Sequence, residues 1–131
     1  MLIKMSEELP FPAAAVWAVI GDPSRADWVP SVSSVSYDGE CRRMDMAGAG
    51  TITEQIFRLD NDALCIEYGV VDAPVSLDQH RAVMQLTALA PELTLVDWQT
   101  EVLPDAFAGF IEEGMQSGLV GLRDLLSHSR V

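Results

Sequence analysis

The apolar period of the sequence changes at Pro104, and this change indicates the class of fold. Residues 93–127 read LTLVDWQTEVLPDAFAGFIEEGMQSGLVGLRDLLS. Before Pro104, Val96, Trp98 and Val102 alternate with other residues, which is the period of a β-strand. After it, apolar and small residues recur at steps of three and four, as in a helix that packs on one face. We therefore predict a strand at 93–102 and a long helix from Asp105 to about Ser127.

Upstream of this pair the period is two over most of the chain. Turn signals such as Asp38-Gly39 and Ala47–Gly50 divide residues 32–102 into strands. Consecutive strands with short turns pair antiparallel. The predicted strands are 2–9, 32–37, 40–46, 51–59, 63–71, 79–89 and 93–102.

Two short helices are predicted between the first two strands. The segment 12–20 begins with Pro12 and contains three alanines, both of which favour a helix. Gly21 ends it, and Asp22 followed by Pro23 is typical of the start of a second short helix at 24–30. The chain is thus predicted to be an α+β protein with one domain, 1–131.

Composition limits the partners. The chain has 20 acidic and 8 basic residues, for a net charge of −12. Nucleic acids and anionic membranes attract basic surfaces, so we expect neither as a partner. Edge strands and an acidic surface leave a symmetric homodimer open.

The cysteines and the start of the chain indicate no special chemistry. Cys41 and Cys65 are too isolated for a disulfide framework or a metal motif, and we interpret them as structural. The chain opens on a strand-like segment rather than a signal peptide, so the expected location is cytoplasmic. No cofactor or metal motif is found, and none is expected.

One hairpin brings two opposite charges together. If it turns about Gly48, residues whose numbers add up to twice 48 lie opposite each other, which pairs Arg42 with Glu54. Met44 and Ile52 share that face, so it is predicted to be the inner one. Arg42 would then hold a carboxylate or enolate oxygen of a ligand, and Glu54 would act as a general base. A buried ion pair that only satisfies itself is the alternative.

Further candidates lie on the inward faces of other strands. By alternation, Tyr68, His80, Met84 and Trp98 all point inward, and Trp28 is placed at the mouth of the interior. Tyr68 could donate to a carbonyl and His80 could transfer a proton. A packed tyrosine and a partly solvated histidine are the alternatives.

The predicted final helix contains Gly114, Gly118 and Gly121. Each costs about 1 kcal/mol relative to alanine in a helix interior. Close packing of the helix on the sheet would explain them. A thin helix face that leaves volume for a ligand would explain them as well.

The sequence resembles the SRPBCC superfamily of START-like proteins, in its polyketide cyclase/dehydrase and lipid-transport branch. The resemblance extends over nearly the whole chain and rests on Phe11–Asp22 (FPAAAVWAVIGD), Trp28-Val-Pro30, Arg42, Gly50–Glu54 (GTITE), Leu59-Asp60, Tyr68, Pro74, Trp98 and Ser117–Leu122 (SGLVGL). It implies the helix-grip fold, in which a curved antiparallel sheet of six to seven strands wraps around a long C-terminal helix and encloses an apolar cavity.

The superfamily contains several kinds of function. The first hypothesis is binding of a small hydrophobic or amphipathic molecule, with Arg42 and Glu54 as polar anchors. The second is a cyclase/dehydratase-like enzyme that uses Glu54, Tyr68 or His80 for proton transfer. We favour binding, because no pair of nucleophile and base can be identified in the sequence. A protein-interaction domain is the third hypothesis.

Overall fold

The computed structural model describes residues 1–129. Its elements are β1 (Leu2–Leu9), α1 (Ala13–Ile20), β2 (Val32–Tyr37), β3 (Cys41–Met46), β4 (Gly50–Asp60), β5 (Cys65–Asp72), β6 (Gln79–Ala90), β7 (Leu93–Leu103), a short 3-10 helix (Asp105–Phe107) and α2 (Ala108–Ser129). The strands form one antiparallel sheet in the order β1-β7-β6-β5-β4-β3-β2. The α+β helix-grip architecture is confirmed.

The core lies between the sheet and one face of α2. Alternating residues of β7 are buried, including Val96 and Val102, which have no exposed surface. The buried residues of α2 recur at helical spacing, as predicted. Gly114 is not among them. They are Ala108, Met115, Gly118, Leu119, Leu122 and Leu126. None of the helices within residues 1–129 is long and apolar enough to span a membrane.

The second short helix predicted at 24–30 is wrong. The Asp22 carboxylate accepts hydrogen bonds from the backbone N–H and the hydroxyl of Ser24, as a helix N-cap also does, but within the described residues no run of helical backbone hydrogen bonds follows. Isolated backbone bonds three residues apart follow, such as Val29 N–H to Ala26 O at 3.0 Å. This irregular path buries the Trp28 side chain and brings its carbonyl against α2.

The glycines of α2 have different roles. A Cβ on Gly121 would lie 2.0 Å from the carbonyl oxygen of Trp28, so close packing requires glycine there. A Cβ on Gly118 would lie 3.1 Å from the rings of both Trp28 and Trp98. A Cβ on Gly114 would meet no atom within 4 Å. Close packing therefore explains Gly118 and Gly121, whereas Gly114 borders the open volume beneath the helix.

Two alanine substitutions should have opposite effects on stability. Gly121→Ala should lower the free energy of unfolding by about 1–3 kcal/mol, because the methyl group would clash with backbone atoms. Gly114→Ala should raise it by about 0.5–1 kcal/mol, because alanine favours the helix and has room. Urea denaturation of both variants would measure this. Equal effects would contradict the packing of α2 described above.

Candidate functional site

A cavity of about 320 Å³ lies between the sheet and α2. Its wall includes six of the residues predicted for the site: Trp28, Arg42, Glu54, Tyr68, His80 and Trp98. The segment 25–32, the β3–β4 turn and the first half of α2 also contribute to it, the last with Phe110 and Gly114. Phe110 is 54% exposed, which is high for a large apolar side chain on a cavity wall.

Met84 is the exception among the predicted site residues. It is 1% exposed, but it belongs to the packed core and does not line the cavity. It lies four positions after His80 along β6, about 13 Å farther along an extended strand. The structure therefore places Met84 in the packed core rather than on the cavity wall, with the inward orientation that strand alternation predicted.

The Arg42–Glu54 pair has the predicted register. The two residues lie opposite each other in β3 and β4, next to the pair Met44 and Ile52. Arg42 Nε donates to Glu54 Oε1 at 2.7 Å, and the two side chains are only 8% and 10% exposed. The pair is thus a buried ion pair on an otherwise apolar stretch of the wall.

The ion pair occupies only part of the guanidinium. Arginine carries five N–H donors, and Glu54 accepts the one on Nε. The guanidinium carbon also lies 4.7 Å from the centre of the Tyr68 ring. Burial opposes the charge of Arg42, but Glu54 and Tyr68 outweigh it, so the pKa of Arg42 is raised. The group remains a cation with four Nη donors for other partners.

Tyr68 is placed to donate a hydrogen bond. Its hydroxyl oxygen accepts from Trp98 Nε1 at 3.2 Å. Burial, together with the negative charge of Glu54, raises the pKa of Tyr68 strongly. The phenol therefore keeps its proton at neutral pH. Trp98 in turn packs against Trp28, with ring centres 5.8 Å apart.

His80 is held in one orientation by the backbone of β5. Its Nδ1 accepts a hydrogen bond from the Val70 N–H at 3.2 Å, which assigns the proton of the neutral ring to Nε2. Burial lowers the pKa of His80, and Glu54 opposes this in part. A Cβ on Gly69 would lie 2.3 Å from the His80 carbonyl oxygen, so glycine permits the close approach of β6.

The sequence interpretation missed some residues of the wall. Thr100 lies between Trp98 and Val102 on the inward face of β7, and its hydroxyl donates to the Met115 sulfur at 3.4 Å. Strand alternation could have identified Thr100, because it places this residue on the same face as Trp98 and Val102. Phe110 carried no such signal, because it lies off the buried face of α2. Within residues 1–129, no cluster of His, Cys, Asp and Glu is suitable for a metal ion.

The arrangement is rich in donors. The Nη groups of Arg42, the hydroxyl of Tyr68 and Nε2–H of His80 can all donate, whereas Glu54 supplies carboxylate acceptors. With apolar walls around them, these groups can hold an oxygen atom of a small molecule. Such a site, mostly apolar with few polar groups, is the usual form of a ligand pocket.

Fold and cavity together define a START-like helix-grip protein, and comparisons with known proteins agree. The family described as "Polyketide cyclase / dehydrase and lipid transport" matches residues 2–127. The chain belongs to this family. No functionally curated protein matches its sequence.

Solved structures show the same fold. XoxI from Bacillus cereus is 21% identical with a TM-score of 0.86, and the match covers 99% of this chain and 98% of that one. A START superfamily protein from Mycobacterium smegmatis is 13% identical with a TM-score of 0.81, covering 97% of each chain. The Zhui aromatase/cyclase from a Streptomyces species is 19% identical with a TM-score of 0.76, covering 96% and 90%.

The neutral state of His80 predicts a loss of stability in weak acid. In the unfolded chain His80 takes up a proton near its ordinary pKa of 6.5, whereas in the folded protein it does so only at lower pH. The unfolded state thus binds more protons in this interval, and the free energy of unfolding falls as pH drops below about 7.

The His80→Asn variant isolates this contribution, because an amide oxygen can accept the Val70 N–H and does not titrate. Between roughly pH 7.5 and 5, an interval that spans the ordinary histidine pKa, the unfolding free energy of the wild type should fall more than that of the variant. Denaturation at several pH values would measure it. A constant difference would contradict the neutral assignment.

Proposed function

We propose that this chain binds one small, largely apolar molecule in its cavity, with an oxygen atom of that molecule held by Arg42. The observation that supports this most directly is the use of only Nε of Arg42 by Glu54. A buried arginine that lines an open volume, and whose Nη groups bond no other residue among 1–129, is suited to an oxygen-bearing ligand.

The volume supports a ligand of modest size. Ligand pockets in proteins span about 300–1,000 Å³, and this cavity of about 320 Å³ lies at the lower end. Trp28, Trp98, Met44 and Met115 are apolar parts of its wall. The cavity therefore suits a ligand of modest size with a largely apolar body.

The energetics of the ion pair also favour a role in binding. A buried ion pair contributes little net stability, because desolvation offsets attraction, and well-packed apolar residues often do as well. Arg42 and Glu54 are therefore poor candidates for a purely structural function. Their position on the cavity wall gives them access to a bound molecule.

The second candidate is a cyclase/dehydratase-like enzyme. It is supported by the family description and by Glu54, Tyr68 and His80 lining one cavity. We favour binding because most of these groups are not free bases. Tyr68 keeps its proton, His80 uses Nδ1 for the backbone, and Glu54 is paired with Arg42.

Filling the cavity should weaken binding. The neutral dye phenylnaphthylamine, which fluoresces in apolar surroundings, should bind the wild type. Gly114→Leu adds four carbons at the cavity wall and should weaken binding by about tenfold or more, since it removes volume for the dye. Fluorescence titration measures both.

Gly109→Leu is the matched control. It also replaces a glycine of α2 whose Cβ position is open, but Gly109 does not line the cavity. Its affinity for the dye should equal that of the wild type. Equal affinities for the two leucine variants would overturn the proposal.

Tyr68→Phe distinguishes binding from catalysis. If the site only binds, Tyr68→Phe should bind a ketone ligand more weakly than the wild type does, because one hydrogen-bond donor is lost. Neither protein should then convert the ligand. A catalyst would instead accelerate loss of water from a β-hydroxyketone, and Tyr68→Phe would keep affinity while losing about 10²–10⁴ in rate. Absorbance of the enone product reports turnover. Its appearance above the buffer rate would favour the enzyme.

A further inference from the structure

We propose that the cavity selects molecules whose polar group is uncharged, such as a hydroxyl or a carbonyl, over carboxylates and phosphates of the same size. This inference rests on the proposed function and names the class of ligand. The charges that line the cavity and the directions of its hydrogen bonds support it.

The charged residues of the wall leave no positive charge for an anion. They are Arg25, Arg42, Glu54 and Glu113. Arg42 and Glu54 form an ion pair at 2.7 Å and cancel each other. Arg25 is already paired with Asp27 at 2.8 Å, and Glu113 adds a further negative charge. The net charge of the chain, −12, opposes an anion as well.

An anion in this cavity would lose its hydration without compensation. Moving a charge out of water is costly unless an opposite charge or several strong hydrogen bonds replace the lost hydration. Arg42 would attract the anion, but Glu54, bonded to the same guanidinium, would repel it from only a little farther away. The attraction expected for an unpaired buried arginine is therefore reduced.

An uncharged polar group gains hydrogen bonds without this cost. Its oxygen can accept from the Nη donors of Arg42 and from the hydroxyl of Tyr68, whose ring packs against the guanidinium. His80, whose ring centre is 6.4 Å from that of Tyr68, offers Nε2–H. A ligand hydroxyl can also donate to Glu54. The donors and the acceptor thus match a neutral oxygen-bearing head group on an apolar ring.

Naphthol and naphthoate test the inference with one ring system. At pH 7 naphthol is uncharged and naphthoate is an anion, while the apolar parts are identical. Binding is followed by quenching of tryptophan fluorescence, since Trp28 and Trp98 line the cavity. We expect naphthol to bind the wild type at least about tenfold more tightly than naphthoate.

Glu54→Gln should change this preference. Glutamine keeps an oxygen that can accept from Arg42 Nε, but it removes the negative charge beside the guanidinium. Naphthoate should then bind at least about tenfold more tightly than it does to the wild type, whereas naphthol should bind no more tightly than before, because its hydroxyl loses a carboxylate acceptor. Glu67→Gln is the control, because it removes the same charge next to Arg58 and Arg81, away from the cavity wall. It should change neither affinity.

The outcomes separate the two proposals. If the wild type binds naphthoate as tightly as naphthol, selection for an uncharged group is overturned, while binding in the cavity stands. A folded Glu54→Gln variant with unchanged naphthoate affinity would overturn it too. If neither compound nor phenylnaphthylamine binds, the proposed function itself fails, and this inference with it. The comparison on the wild type needs no variant, so it decides even if Glu54→Gln does not fold.

Discussion

The buried ion pair between Arg42 and Glu54 is the interaction on which the interior depends. It lies on the inner face of β3 and β4, where neighbouring positions carry Met44 and Ile52. Each charge, left alone, would be strongly destabilising at that depth, so the two side chains require each other. The pair also marks a division of the interior. Apolar side chains fill the region around Leu122 and Leu126, whereas the region around the ion pair is open volume.

From the ion pair, a series of contacts extends across the cavity to α2. The Arg42 guanidinium stacks on Tyr68, the Tyr68 hydroxyl accepts from Trp98, and Trp98 packs against Trp28. Both indole rings then lie on Gly118, where a Cβ would be 3.1 Å away. A molecule bound as proposed would therefore contact groups that already contact one another. These contacts hold the polar groups in place, which would reduce the ordering cost of binding.

Short-range rules predicted much of the fold and part of the site. The turn at Gly48 fixed the register of its hairpin, and strand alternation assigned the inward faces, because both depend on near neighbours only. Alternation gives a face but not a depth, which is why Met84 was assigned to the cavity wall and lies in the core. The segment 24–30 begins with residues typical of a helix start. Its path follows instead the contact of Trp28 with Gly121, about ninety positions away in the sequence. Such long-range contacts leave no local signal.

The same residues also bear on whether this member of its family binds a molecule or converts it. Proton transfer requires a group that can take up a proton at neutral pH. His80 accepts the Val70 N–H on Nδ1 and carries its proton on Nε2, so it would have to give up a backbone hydrogen bond to act as a base. Burial, which lowers the pKa of His80, makes its protonated form still less favourable. Tyr68 holds its proton for the opposite reason, since burial disfavours the phenolate. The low polarity of the cavity thus keeps both groups neutral and makes them donors, which suits recognition of an oxygen atom better than removal of a proton.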